Sequence, residues 1–408
     1  MSAAQADDAI DLRSIASAQD RPSAEHEPPI DLDPVDDGSN GDLPPIDGGR
    51  AAWRLLWSAF IFEALLWGRL ICILAILVSS FTHSLATIIL TQGVMYGVGF
   101  VIFYYPILSM VNDYWVARRG LAYGILCSAS GVAGVVMPFS LEAMLHRFGA
   151  PTTLRAASGL LAVTTGPFLL FLKPRRPGSS MSGAAETSAV PLKPDYAFLQ
   201  SPLFWIYSTS NILQGLGFFF PALYLPSYST SLSLSSRTGA LLLALMSVAQ
   251  VLGQSTFGYL SDQKQSTSAS MLTMLSLVST VVAGAAMLSW GAMNTLPALI
   301  AFALVYGFFG TGYTALWGRM GTSVTKDSTS AFMAFGLFNF GKGVGNVLAG
   351  PVGGGLLGEQ IGSGGSQGYG RGQYGAIILF AGSCMLASGG CVGMGLVRGW
   401  EKVRQVTE

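Results

Sequence analysis

The chain has 408 residues, of which 51% are apolar and only 11% charged, with 51 glycines. Soluble domains average roughly 25% charged residues, so a water-soluble globule is excluded, and glycines without a three-residue period exclude collagen. The formal net charge of zero hides a split between twelve acidic and three basic side chains in residues 1–50 and ten acidic and nineteen basic ones thereafter.

Residues 1–50 are rich in Asp, Pro, Ser and Gly and cannot bury enough apolar surface to offset ordering entropy, so they read as a disordered acidic tail. Their polar start is not that of a signal peptide. From residue 51 the chain is a series of apolar runs. A bilayer core of about 30 Å takes roughly 20 helical residues, which gives ten candidate spans: 52–82, 85–111, 120–145, 152–172, 202–228, 238–260, 270–291, 296–318, 329–356 and 374–397. The segments are expected to be helical because lipid offers backbone polar groups no partners. The run 52–82 is too long for one span, carries Gly68-Arg69 in its middle, and reads as two helix fragments joined. Residues 173–201 form a Pro/Ser/Gly-rich linker with basic ends.

The expected organisation is therefore an all-α polytopic membrane protein. It comprises a tail (1–50), an N-terminal bundle (51–172), a linker (173–201), a six-helix C-terminal bundle (202–397) and a second tail (398–408). Basic residues crowd one set of loops, Arg118, Arg119 and Arg319 among them, and the positive-inside rule places that set and both termini in the cytosol. The plasma membrane is the default, with the vacuolar membrane as the alternative. The four cysteines lie in apolar runs without a CxxC, and the three histidines are dispersed, so no metal site and no cofactor is expected. Basic residues are not interleaved with exposed aromatics, which argues against nucleic acid as a partner. The oligomeric state is not legible.

Two motifs narrow the class. Asp47-Gly48-Gly49-Arg50-Ala51-Ala52-Trp53 precedes the first span. Between the second and third spans stands Tyr114-Trp115-Val116-Ala117-Arg118-Arg119-Gly120-Leu121-Ala122-Tyr123-Gly124, followed by Gly131 and Gly134. Together they resemble the paired motifs of the monocarboxylate-porter family of the major facilitator superfamily. Leu316–Met320 ("LWGRM") and Phe257–Asp262 ("FGYLSD") extend the resemblance to its filamentous-fungal branch. The resemblance implies two six-helix bundles with a solute path between them. It also implies that the end of the first span, all of the second and the following loop are absent, because Gly68 runs directly into a segment similar to the family's third span. About ten spans would remain instead of twelve. On physical grounds, Arg118 and Arg119 suit a helix carbonyl end and anionic headgroups, and Gly120, Gly124, Gly131 and Gly134 permit close helix packing. Orientation and packing are the plainer reading, a moving hinge the alternative.

Polar residues inside spans are costly and tend to face a cavity. The candidates are Glu63, Asn211 and Gln214 (on one face with Phe218), Gln250 and Gln254, Tyr306 and Tyr313, and the stripe Asn339, Lys342, Asn346. For each Asn, Gln or Tyr the plainer role is an interhelical hydrogen bond. For Lys342 and Glu63 a path or ion-pair role is favoured, since unpaired burial is expensive. In the family's proton-coupled carriers an acid and an arginine stand where Gln250 and Gln254 match. Two neutral amides neither hold a proton nor fix a carboxylate by charge, so the resemblance points to a neutral or amphipathic solute, with Lys342 still able to attract an anion. Gly341–Gly345 has neither the spacing nor the Ser/Thr of a phosphate loop, and no catalytic constellation is visible. The expected function is secondary transport of a small organic solute by alternating access across a lipid bilayer. The alternative is a non-transporting relative that acts as a scaffold or regulator.

Overall fold

A computed structural model of the chain describes residues 49–65, 70–82, 84–115, 117–165, 196–263, 269–325, 327–357, 368–371 and 373–407. The acidic tail, Asp47, Gly48, the Gly68-Arg69 junction and most of the 173–201 linker lie outside the described residues, as does the side chain of Glu63.

The apolar runs are helices. The run 52–82 forms two, α1 (Gly49–Leu65) and α2 (Leu70–Ser79). Next come α3 (Leu85–Ile88), a π-helical stretch Ile89–Met95 and α4 (Tyr96–Tyr114) in one continuous rod. Helix α5 (Arg119–Thr165) bends at Gly149, whose φ of 75° and ψ of 170° break the helical geometry and separate two arms; only glycine takes that backbone readily. The second half contains α6 (Pro202–Phe218), α7 (Phe220–Ser231), α8 (Ser236–Ser261), α9 (Ala269–Trp290), α10 (Leu296–Ala315), α11 (Trp317–Val324), α12 (Ser328–Leu356) and α13 (Gly375–Thr407). Ser84, Ser235 and Asp327 cap α3, α8 and α12 by accepting from the backbone N–H of Thr87, Thr238 and Ser330, which satisfies donors that a helix start leaves unpaired.

Among the described residues five segments are both long and apolar enough to cross a bilayer: Arg119–Leu145, Ser236–Ser261, Ser270–Trp290, Leu296–Val324 and Gly375–Leu396. Several of the remaining runs are interrupted. The first is split between α1 and α2, and the run 202–228 breaks at Phe219, just before Pro221. Large apolar side chains face outward along the helices, for instance Leu223, Val248, Leu252 and Val347, as expected of surfaces that meet lipid.

Two apolar clusters hold the structure. One joins both halves at the Arg118 end, where Leu55 and Leu56 of α1, Leu108 and Val111 of α4, Trp115 and Tyr123 meet Phe198, Tyr207, Tyr313, Met320, Phe335 and Phe338. The other contains second-half residues only, centred on Tyr228, Trp290, Phe302, Tyr306 and Ile378. Among the described residues the halves thus share a core at one end and not at the other. Phe198, on the short 3-10 turn Tyr196–Gln200, packs the end of the linker into the shared core.

Candidate functional site

The most extensive contact between the halves, among the described residues, is a seam of α5 against α8. Both helices present small residues there. A Cβ on Gly124 would lie 2.6 Å from the Gln254 carbonyl oxygen, and one on Gly131 would lie 2.8 Å from Val251 and 2.9 Å from the Ser247 carbonyl oxygen. A Cβ on Gly134 would lie 2.5 Å from Ser247 Oγ, and one on Gly258 would collide with the Gly120 carbonyl and lie 2.9 Å from Gly124 Cα. Without side chains the two backbones touch over roughly 14 residues of α5, about 21 Å of helix. The motif glycines are therefore spent on the junction between halves.

At the Arg118 end the seam is latched. Asp262, just past α8, accepts from the backbone N–H of Gly120 (2.8 Å) and Leu121 (2.6 Å) in the first turn of α5. Its Oδ1 also receives Arg319 Nε of α11 at 2.7 Å, and Arg319 Nη2 pairs with it at 2.6 Å. Arg319 Nη2 donates as well to the carbonyl of Ala117. A carboxylate at a helix N-terminus meets unpaired donors and the positive end of the helix dipole, so α8 and α11 of one half jointly hold the start of α5 in the other. Arg119 Nε donates to the carbonyl of Trp115, the C-cap of α4 (3.1 Å), and Arg118 is exposed. Trp115 stacks edge-on against Trp53, ring centroids 5.1 Å apart, which brings the two sequence motifs together. Tyr114 is buried beside them.

Beyond the latch, polar groups converge on α10 and α11. Gln214 Nε2 donates to the carbonyl of Gly310 (3.1 Å) and Gln254 Nε2 to Thr314 Oγ1 (3.1 Å), one helical turn further on. Thr314 gives its own hydroxyl proton to the Thr311 carbonyl (2.7 Å), so it must accept from the amide. The orientation of both amides is thereby fixed, and their Oε1 atoms are buried without a partner. Lys342 is 6% exposed. Its backbone packs on Gly215, next to Gln214, and its ammonium lies 3.6 Å from the centre of the Phe218 ring and 5.0 Å from that of Trp317. Aromatic faces stabilise a desolvated cation by about 2 kcal/mol, well short of the cost of burying it. Among the described residues no acidic side chain is paired with Lys342. Trp317 belongs to the core that both halves share, which places the ammonium beside their junction. Gln250 Nε2 crosses the seam to Ser130 Oγ (2.9 Å).

The other sequence candidates sit elsewhere. Asn211 Nδ2 and Asn339 Nδ2 donate within their own helices to the carbonyls of Tyr207 (2.9 Å) and Phe335 (3.3 Å). Tyr313 OH donates to Ser210 Oγ (2.8 Å), which also meets Ser388, and Tyr306 OH donates to the carbonyl of Phe218 (2.9 Å). These bonds tie α6, α10 and α13 together. Asn346 is half-buried on α12, its Oδ1 without a partner. Sequence reasoning did not place Asp262 and Arg319 in the site, although both stand in quoted motifs, nor Ser130, Thr314 and Trp317.

A family model described as Major Facilitator Superfamily matches residues 60–291, just over half of the chain. Similar proteins include an MFS-type transporter, pynF, of Aspergillus niger, 25% identical over 292 residues (71% of this chain, 64% of that protein). Human monocarboxylate transporter 12 is 25% identical over 347 residues (79% and 64%). An agnestins efflux protein of Paecilomyces divaricatus is 25% identical over 291 residues (71% and 64%). The chain thus spans just under two thirds of the length of these relatives. Among solved structures, a bacterial homologue of the iron transporter ferroportin in an outward-facing state shares the fold, with a TM-score of 0.51 at 15% identity over 86% of this chain and 83% of that one.

Proposed function

The chain belongs to the major facilitator superfamily, and from that premise we propose that it is a secondary carrier that moves a small organic solute across a membrane by alternating access. The carrying observation is the seam. Among the described residues the halves share a core and a charged latch at the Arg118 end, whereas the cluster at the opposite end contains second-half residues. This arrangement suits a carrier closed on one side. Loop charge puts the closed side in the cytosol, with the plasma membrane as the default location. The N-terminal bundle (51–172), the linker (173–201) and the C-terminal bundle (202–397) would then be the moving parts.

The solute would bind where Gln214, Gln254 and Lys342 converge. The unpartnered carbonyl oxygens of Gln214 and Gln254 call for hydrogen-bond donors. The buried ammonium calls for an electron-rich or anionic group. With amides at positions 250 and 254, no group on α8 takes up a proton, so any coupling would fall to another part of the chain. The split of the first apolar run into α1 (17 residues) and α2 (10 residues) supports the second reading, a non-transporting membrane scaffold.

Flux in proteoliposomes across a panel of neutral, amphipathic and anionic metabolites separates the two. A carrier gives saturable flux of at least one solute, and correctly inserted protein with none overturns the proposal. Within the panel, Lys342→Gln is expected to lower flux of anionic solutes by at least tenfold. Neutral ones should change by less than threefold, because only the former use the charge. Initial rates at several concentrations check this.

A further inference from the structure

The first half contains a cavity of about 530 Å³, apart from the convergence of Gln214, Gln254 and Lys342. Its walls are Ile76 of α2, Met137 and Leu141 of the first arm of α5, and Leu154 of the second, with Ala133 and Ala157 keeping it wide. Three polar residues interrupt this surface: Gln92, Tyr96 and Ser130.

Gln92 lies in the π-helical stretch Ile89–Met95, and single π turns inside α-helices recur at functional sites. Its Nε2 donates to Ser79 Oγ (3.0 Å), and Ser79 spends its own proton on the Ile76 carbonyl (2.7 Å). The amide orientation is therefore fixed, and the carbonyl oxygen of Gln92, an exposed residue, is an acceptor left for an occupant. Ser130 connects the cavity to the seam, because its Oγ accepts from Gln250 Nε2 of α8. Gly134, also on the wall, meets Ser247 of the same helix. An occupant would thus press on the surface along which the halves meet.

We propose that this cavity is a binding site for an apolar organic molecule of a few fused rings that carries a hydroxyl group. The volume of about 530 Å³ lies within the range of pockets that hold small organic ligands. A lipid acyl chain would fill the space but offers no donor to Gln92. A hydroxylated ring system satisfies both the apolar walls and the Gln92 acceptor. As a site that acts on the moving seam it rests on the carrier reading; as a binding site it is measured without flux.

The test is equilibrium binding of tritiated 17β-estradiol to the full chain in phosphatidylcholine nanodiscs. Saturable binding of one molecule per chain is expected. Ala157→Phe, which fills the cavity, should weaken it at least tenfold, and Ala285→Phe, on the exposed face of α9, should leave it unchanged. Gln92→Leu keeps the volume and should remove the preference for estradiol over its 3-deoxy analogue, which separates loss of recognition from loss of folding. The proposal is overturned by absence of saturable binding, by binding indifferent to Ala157→Phe, or by co-purified phospholipid that estradiol does not displace. Intact binding with no flux of any solute would support the site and count against the carrier reading.

Discussion

Asp262→Ala is expected to shift the chain from a closed seam toward an open one by about two orders of magnitude. The carboxylate accepts two backbone N–H groups of α5 and the Arg319 guanidinium at 2.6–2.8 Å. Hydrogen bonds to a charged group contribute about 1.5–3 kcal/mol each. Removing the carboxylate also leaves Arg319 against the Ala117 carbonyl without its counter-charge. Water reaches these groups once the seam opens, so only part of the loss biases the equilibrium. A net shift of about 3 kcal/mol corresponds to roughly a hundredfold change in population. Asp262→Asn keeps an acceptor and loses the charge, and an intermediate shift of about tenfold is expected. The readout is the rate at which a short bifunctional reagent joins cysteines placed at Ala117 and Gln263, both exposed at the latch. An unchanged rate in Asp262→Ala would show that the latch does not hold the seam.

Gly258→Leu should act in the same sense by a steric route and hold the seam apart. At this crossing the obstacles to a side chain are the Gly120 carbonyl and Gly124 Cα. Both are backbone and cannot rotate away as a side chain would. Overpacking a close contact costs about 1–3 kcal/mol where neighbours adjust, and here the helices themselves must separate. Flux is expected to fall at least a hundredfold while insertion and expression persist. Gly159→Leu is the matching control, since a Cβ at Gly159 meets nothing within 4 Å. If Gly258→Leu transported like the unaltered chain, close approach of α5 and α8 would have no part in the cycle.

Much of this architecture was legible in the sequence. Apolar runs of bilayer length became helices because the run length and the missing partners in lipid leave the backbone few options. The glycines of α5 were recognisable as a packing face, and Trp53 and Trp115 stood in motifs that proved to touch. The partners across the seam were not legible. Asp262 caps α5 through Gly120, 142 residues earlier in the chain, and no local periodicity encodes which N-terminus an acid at a helix end will meet. The same gap divided the polar candidates. Asn211 and Asn339 turn back on their own helices, whereas Gln214 and Gln254 reach α10 one turn apart; helical spacing alone gives all four the same status. Phe218 was legible as a neighbour of Gln214 on one face, but Trp317 enters the surroundings of Lys342 only because the chain turns at Leu316 to start α11. Glu63, the other ionisable candidate, lies outside the described side chains.

The most direct test of alternating access compares the two ends of the seam in the same proteoliposomes. One readout is cross-linking between cysteines at Ala117 and Gln263. The other is labelling by an impermeant maleimide of a cysteine at Leu141, beyond the last seam glycine. The account predicts opposed changes at the two ends: Asp262→Ala slows cross-linking and lowers labelling at position 141, and Gly258→Leu slows cross-linking and loses flux. Labelling at position 141 that stays constant while the latch opens would contradict alternating access and leave a static membrane protein.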